Sequence, residues 1–234
     1  MSEITFNGVT ASSKGVKVLE YPDIAKPNMR TETVKVPGRH GELTLVGLPS
    51  YDARVMEVGC SISDPTKISA AAAWLTGRGD LILGNDSNYA YDARVIDEFS
   101  FQKILRGHLH RRFTVPFLVQ PLKKAATAES AIQLTVSGGS VTNPGHVTSR
   151  PEIKVEGSGD ITLMIGTQTI TLITGMTAPV LIDSDVGIAT NLLKTQNASY
   201  LISGDWPMIP TGSSTVSWTG SVTKVTITPR WRWL

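Results

Sequence analysis

Residues Glu152–Ile173 read EIKVEGSGDITLMIGTQTITLI, and this stretch decides the fold. Apolar and polar side chains alternate through Glu152–Glu156, Asp160–Ile165 and Thr169–Ile173, the two-residue period of strands with one buried face. Turn-forming residues separate the runs. Further strands rich in Thr, Val and Ile follow at Val180–Ile182, Ser214–Trp218 and Lys224–Thr228, with Gly, Asn, Asp and Pro between them. Such spacing predicts an antiparallel β-sandwich of about 100 residues with no helix longer than a turn.

Working back from this stretch, Lys123-Lys124-Ala125-Ala126-Thr127-Ala128-Glu129 is small and polar and suits a domain boundary. The expected domains are 1–125 and 126–234. Their charge supports the division: 16 Lys/Arg against 13 Asp/Glu in the first, 6 against 7 in the second. The first domain mixes strands with one helix. Val34-Lys35-Val36 and Glu42-Leu43-Thr44-Leu45-Val46 flank Pro37-Gly38-Arg39-His40-Gly41, which predicts a β-hairpin whose glycines supply positive φ. A strand is expected from Tyr51 to about Ile62. Asp64 then offers an N-cap with Pro65 at the first helical position, and Ile68, Ala71, Ala72 and Leu75 form an apolar stripe. Gly77-Arg78-Gly79 is expected to end that helix. Strands resume at Asp80–Leu83 and Tyr89, and Phe113–Val119 reads as a strand with an edge or bulge at Pro116. The pentapeptide Tyr-Asp-Ala-Arg-Val occurs at 51–55 and 91–95. Its flanks do not repeat, so two similar amphipathic strands of one sheet explain it better than a duplicated ligand site.

Composition excludes several classes. With 41% apolar and 18% charged residues among 234, the chain is globular. The formal net charge of +2 lacks the basic excess of a nucleic-acid binder. No apolar run approaches the roughly 20 residues of a membrane-spanning helix, and the amino terminus has no secretory pattern. Cys60 has no partner for an intrachain disulfide.

Residues that invite chemistry each have a plainer account. His108 and His110 share a face if they lie on a strand, but no further ligand stands at suitable spacing, and Arg106, Arg111 and Arg112 repel a cation. A basic strand gripping an acidic partner remains open. Arg78-Gly79-Asp80 spells an adhesion tripeptide inside the expected helix stop. Asp183 and Asp185 fit a strand-end Asx turn better than a carboxylate pair. No Ser/His/Asp or Cys/His grouping has a local signature. No catalytic, cofactor-binding or metal-ligating residue is therefore assigned. Trp206, Trp218, Trp231 and Trp233 fall in the second domain, where exposed indoles would stack on sugars. Trp231 and Trp233 share one face of the terminal strand and suit core or subunit contact, since each buries on the order of 200 Å².

Taken in order along the chain, the features resemble the distal tail proteins of siphophages. Ile4-Thr5-Phe6-Asn7-Gly8 opens the series, and Val36-Pro37-Gly38-Arg39-His40-Gly41-Glu42-Leu43 is similar to the family's Pro-Gly-Arg-Asp-Gly hairpin tip, with His40 in place of Asp. The two Tyr-Asp-Ala-Arg-Val copies and the helix near Trp74-Leu75 follow. Asn143-Pro144-Gly145, Arg150-Pro151-Glu152-Ile153, Ile182-Asp183-Ser184, Ser203-Gly204-Asp205-Trp206-Pro207, Ile209-Pro210-Thr211-Gly212, Trp218-Thr219-Gly220 and Pro229-Arg230-Trp231-Arg232-Trp233 continue it. The resemblance spans nearly the whole chain.

It implies a mainly β protein: an amino-terminal belt domain, β-sandwich-like with one helix and a hairpin arm, and a carboxy-terminal galectin-like sandwich. It also implies a structural role at the virion tail tip, after assembly in the host bacterial cytoplasm. Six copies would close into a ring joining the tail-tube (major tail) protein to a tail-associated fibre or lysin, with a receptor-binding protein as a further partner. DNA would pass through the channel without being read. A closed head-to-tail ring needs two different surfaces per subunit, and a hairpin that adds to a neighbour supplies one. Val34, Val36, Gly38, Arg39, Gly41, Leu43 and Leu45 are the expected subunit-interface residues. Two other classes remain: a monomeric carbohydrate-binding or adhesion module, and a small hydrolase attached to a sandwich.

Overall fold

A computed structural model describes residues 3–45, 50–96, 98–103, 109–167 and 169–234. It divides into two compact units, Met1–Ala126 and Thr127–Trp233. Both are built from antiparallel strands, with one short α-helix, so the chain is mainly β as its alternation predicts.

The first unit holds β1 (Ile4–Phe6), β2 (Val9–Thr10), β3 (Val16–Glu20), β4 (Glu32–Val34), β5 (Leu43–Leu45), β6 (Arg54–Ile62), α1 (Ile68–Trp74), β7 (Arg78–Leu83), β8 (Tyr89–Val95), β9 (Gln102–Lys103) and β10 (Arg111–Ala125). One sheet runs β2-β1-β7-β8-β10-β6-β3, with β9 also on β10, while β4 and β5, among the described residues, pair only with each other. Inward residues of successive strands make the core: Phe6, Val58, Leu81, Tyr91, Val115 and Phe117 are all fully buried. Phe6 and Phe117 meet edge to face at 5.4 Å between centroids, an arrangement the ring quadrupoles favour.

Local signals explain the helix. The Asp64 carboxylate accepts from the Thr66 backbone N–H at 3.0 Å, and Pro65 opens a 3₁₀ turn that leads into α1. The helix buries Ala71, Trp74 and Leu75, and the Trp74 indole N–H donates to the Phe6 carbonyl at 3.1 Å. Gly77, at φ 77°, turns the chain out of the helix. Arg78 and Gly79 belong to the following strand, paired with Arg94 and Ala93, so the helix stop is shorter than expected. Arg78 is ion-paired to Asp92, which ties the tripeptide arginine into the sheet.

Other expectations need correction. Pro116 lies in an internal strand between β8 and β6, not on an edge, and the register shift falls later, between Val119 and Lys123. It is tolerated because β8 ends at Val95. The Pro116 carbonyl accepts from Ile96 N–H at 3.3 Å, and the missing proline N–H points to the same side, beyond the last ladder residue. The copy at 91–95 behaves as its alternation says, with Tyr91 and Ala93 buried. The copy at 51–55 does not. Its strand starts only at Arg54, and burial of Met56, Val58, Cys60 and Ile62 sets the frame, which leaves Val55 51% exposed. His110 precedes β10 outside any strand, and His108 lies outside the described residues.

The second unit comprises β11 (Ile132–Leu134), β12 (Gly139–Asn143), β13 (Glu152–Ile165), β14 (Thr169–Met176), β15 (Val180–Asp183), β16 (Ile188–Asn191), β17 (Ile202–Gly204) and β18 (Gly212–Thr228). The runs Glu152–Glu156 and Asp160–Ile165 are one long strand, and so are Ser214–Trp218 and Lys224–Thr228. The first part of β13 pairs with β15 and the second with β14, while β18 follows it along both. Register shifts after Glu156 and Ser158 bend the pair, so one sheet curls over a shared core of Ile153, Val155, Leu163, Ile182, Val216 and Val225. The bend demands glycine: a Cβ on Gly157 would lie 2.2 Å from the Ser221 carbonyl oxygen, and one on Gly220 2.3 Å from that of Asp160. Trp231 is buried in this core and Trp233 packs against it.

Asp183 closes β15 as an Asx turn, accepting from Asp185 N–H at 3.1 Å. Its carboxylate also takes both arms of the Arg230 guanidinium, at 2.6 and 2.8 Å. The hydrogen bonds from Arg230 hold its pKa below the usual carboxylate range, against the opposing effect of partial burial. A folded pKa below the unfolded one stabilises the fold above about pH 4, and that contribution is lost as pH falls through the folded value. We expect the thermal midpoint to fall with acidification below about pH 4, and Asp183→Asn to start lower at neutral pH and fall less. Circular-dichroism melts from acid to neutral pH check this.

Candidate subunit interface

The arm that carries the expected interface residues is built from its turn outward. Pro37 and Gly38, at φ 80°, occupy the two central positions of a type II turn, and the Arg39 N–H donates to the Val36 carbonyl at 3.1 Å. Gly41 also has positive φ, at 79°. The ladder behind the turn is short: Val34 faces Leu43, Thr33 faces Thr44, and Glu32 faces Leu45. The hairpin expected at 34–46 is therefore present, but Val36 and Glu42 lie in its loop and not in its strands, and Val46 lies outside the described residues.

Directly opposed residues share a face of the ribbon, so Val34 and Leu43 lie side by side. Every residue from 28 to 44 is exposed, including Met29, Val34, Val36 and Leu43. Lys35 and Glu42 form an exposed ion pair at 3.7 Å, worth little in water. An isolated two-stranded ribbon is marginally stable at best. This one pairs with no other strand of its own chain among the described residues, and it carries the apolar side chains of Val34, Val36 and Leu43 exposed. Such a segment gains order by docking on another surface.

The base of the arm is anchored by contacts that the sequence does not advertise. Met29 bridges Tyr51, Arg30 N–H donates to the Ser50 carbonyl at 2.8 Å, and the Arg30 guanidinium holds Asp52 at 2.8 and 3.0 Å. These pairs join residues 20 or more apart, and no local pattern announces them. Arg39, at the tip, is exposed.

Reactive candidates elsewhere are structural. Lys123, 9% exposed, lies 3.4 Å from Asp86 and over the Tyr89 and Tyr91 rings, while the Tyr91 hydroxyl donates to Asp86 at 2.6 Å. Burial and the Asp86 charge push the Tyr91 hydroxyl well up, so it stays protonated. Burial pushes the Cys60 thiol up to about 12, which keeps it unreactive. Among the described residues no group of three or more His, Cys, Asp or Glu is placed to hold a metal, and no helix is long and apolar enough to cross a membrane.

No protein-family model matches the chain, and no curated protein does. Solved structures do. The Dit protein of phage SPP1, described as a paradigm of the hub adsorption apparatus in phages infecting Gram-positive bacteria, superposes with a TM-score of 0.76 at 15% identity, covering 100% of both chains. Two structures of the phage p2 baseplate in its activated conformation, with strontium and with calcium, match more loosely. Their TM-scores are 0.49 and 0.46, at 8% and 6% identity over 97% and 92% of this chain, and they carry no weight beyond that. Through its whole length, then, the chain has the fold of a phage Dit protein.

Proposed function

We propose that this chain is the distal tail protein of a bacteriophage or prophage with a long, non-contractile tail, and that six copies form the ring hub between the tail tube and the tail-tip fibre or adhesion apparatus. The observation that carries the reading is the fold likeness to the SPP1 hub protein over the full length of both chains. A likeness confined to one sandwich would be shared by many unrelated β modules. Here both units and their order agree. The exposed arm, whose strands pair with no other strand among the described residues, supports the ring, because a head-to-tail assembly needs a projecting element on one side of each subunit and a receptive face on the other. Val34, Val36, Gly38, Arg39, Gly41, Leu43 and Leu45 are assigned to that contact. The role is structural, in the virion, at the tail tip.

Antibody raised against the purified chain tests the placement. Gold-labelled antibody should decorate the distal end of intact tails in electron micrographs. Labelling along the tube or on the capsid, with none at the tip, would contradict the assignment even if rings form in solution.

A further inference from the structure

We infer that the second unit carries a binding cleft for a neutral saccharide, formed between the turn after β15 and the segment after β17. The cleft has a volume of about 340 Å³, within the rough 300–1,000 Å³ range of small-ligand pockets. The Trp206 indole lines it beside Gly187, and Arg150, Asp185 and Asp205 supply its polar groups. Ser184, only 4% exposed, also belongs to this lining, and its hydroxyl has no hydrogen-bond partner among the described residues. An unpaired hydroxyl at such a place costs stability unless a guest satisfies it.

The mixture of groups selects the ligand class. A pyranose ring has an apolar C–H face and hydroxyls that both donate and accept. An indole offers surface for the former, a guanidinium donates to the latter, and carboxylates accept from them. Asp185 has a side chain 61% exposed and only a loose 4.0 Å approach to Arg230, so its oxygens are open to a ligand. The backbone of Asp205 is already engaged, donating to the Ile170 carbonyl at 2.9 Å and accepting from the Thr171 hydroxyl at 2.5 Å, while the residue is exposed and lines the cleft, so its carboxylate is the group that can meet a ligand. Gly187 matters too. A Cβ there would stand 3.6 Å from the indole nitrogen, so any larger side chain would cover the tryptophan. One cation against two carboxylates disfavours a polyanion, and three charged side chains in so small a lining disfavour a lipid.

Saturation-transfer NMR on the full-length protein tests this, with the methyl glycosides of glucose, galactose, rhamnose and N-acetylglucosamine as probes. At least one should receive saturation, and the Arg150→Ala/Asp205→Asn double variant should weaken its binding at least tenfold with an unchanged melting midpoint. Both substitutions lie on the surface and leave the backbone bonds of Asp205 intact. No transfer to any of the four sugars overturns the inference, as does equal transfer in the variant. Binding of poly(glycerol phosphate) alone, or of unstructured peptides alone, overturns it as well. None of these outcomes bears on ring formation.

Discussion

Val36→Asp combined with Leu43→Asp is expected to convert the purified protein from a ring into monomers that fold as well as the wild type. Both side chains are already more than a third exposed within one chain, so a carboxylate at either place is well solvated in the monomer and costs the fold little. In a docked arm the same carboxylates lose water. Covering what remains exposed of each aliphatic side chain stabilises the contact by on the order of 1 kcal/mol, and an unpaired charge there costs about 2–5 kcal/mol. Together the pair removes at least about 4 kcal/mol per interface, roughly a thousandfold in each dissociation constant, and a closed ring repeats that loss at each contact. Size-exclusion chromatography with light scattering reads the mass, and a melt on the same sample reads the fold. If the double variant elutes with the wild type, the arm is not the ring contact and the assignment of these residues fails.

Phe117→Ala should have the largest effect on stability within one chain. Phe117 is fully buried in β10, a strand paired on both sides, and its ring stacks edge to face against Phe6. Truncation removes that contact and leaves a cavity that strands hydrogen-bonded on each edge cannot close. Such losses run to about 3–5 kcal/mol, against total stabilities of about 5–15 kcal/mol. Urea denaturation should show a lower midpoint with little change in slope. A loss below about 1 kcal/mol would mean that this sheet packs less tightly than its burial indicates.

Where the sequence could be read, the signal was local. Asp64 and Pro65 announce a helix start because the cap bond and the proline φ involve only adjacent residues, and the turn at Pro37-Gly38 follows from the same short-range geometry. Alternation in Glu152–Ile165 revealed strands, but not that they are one strand, because glycine at 157 and 159 is compatible with a turn as well as with a bend. Only the closeness of the Ser221 carbonyl distinguishes the two, and that is a contact between residues more than 60 apart. Pro116 misled for a related reason: its tolerance depends on where β8 ends, which Pro116 itself does not encode. In Tyr51–Val55 the frame was set by Met56–Ile62 downstream, since burying four residues outweighs the alternation of a pentapeptide. The tip of the arm was visible in its Pro and Gly. Its anchor, Met29 on Tyr51 and Arg30 on Asp52, joins segments whose pairing depends on the third dimension alone. The cleft beside Trp206 was equally hidden. Trp206 could be noted as a possible stacking surface, but the approach of Arg150 and Asp185 to it depends on how β15 and β17 are brought together.

Electron microscopy of the purified wild-type chain, paired with its mass in solution, tests the ring most directly. Six copies of a 25.2 kDa chain give about 151 kDa, or twice that for a stacked pair of rings, and the micrographs should show sixfold annuli with an open centre. A 25.2 kDa species at high protein concentration in mild buffer, with no annular particles in the field, would contradict it.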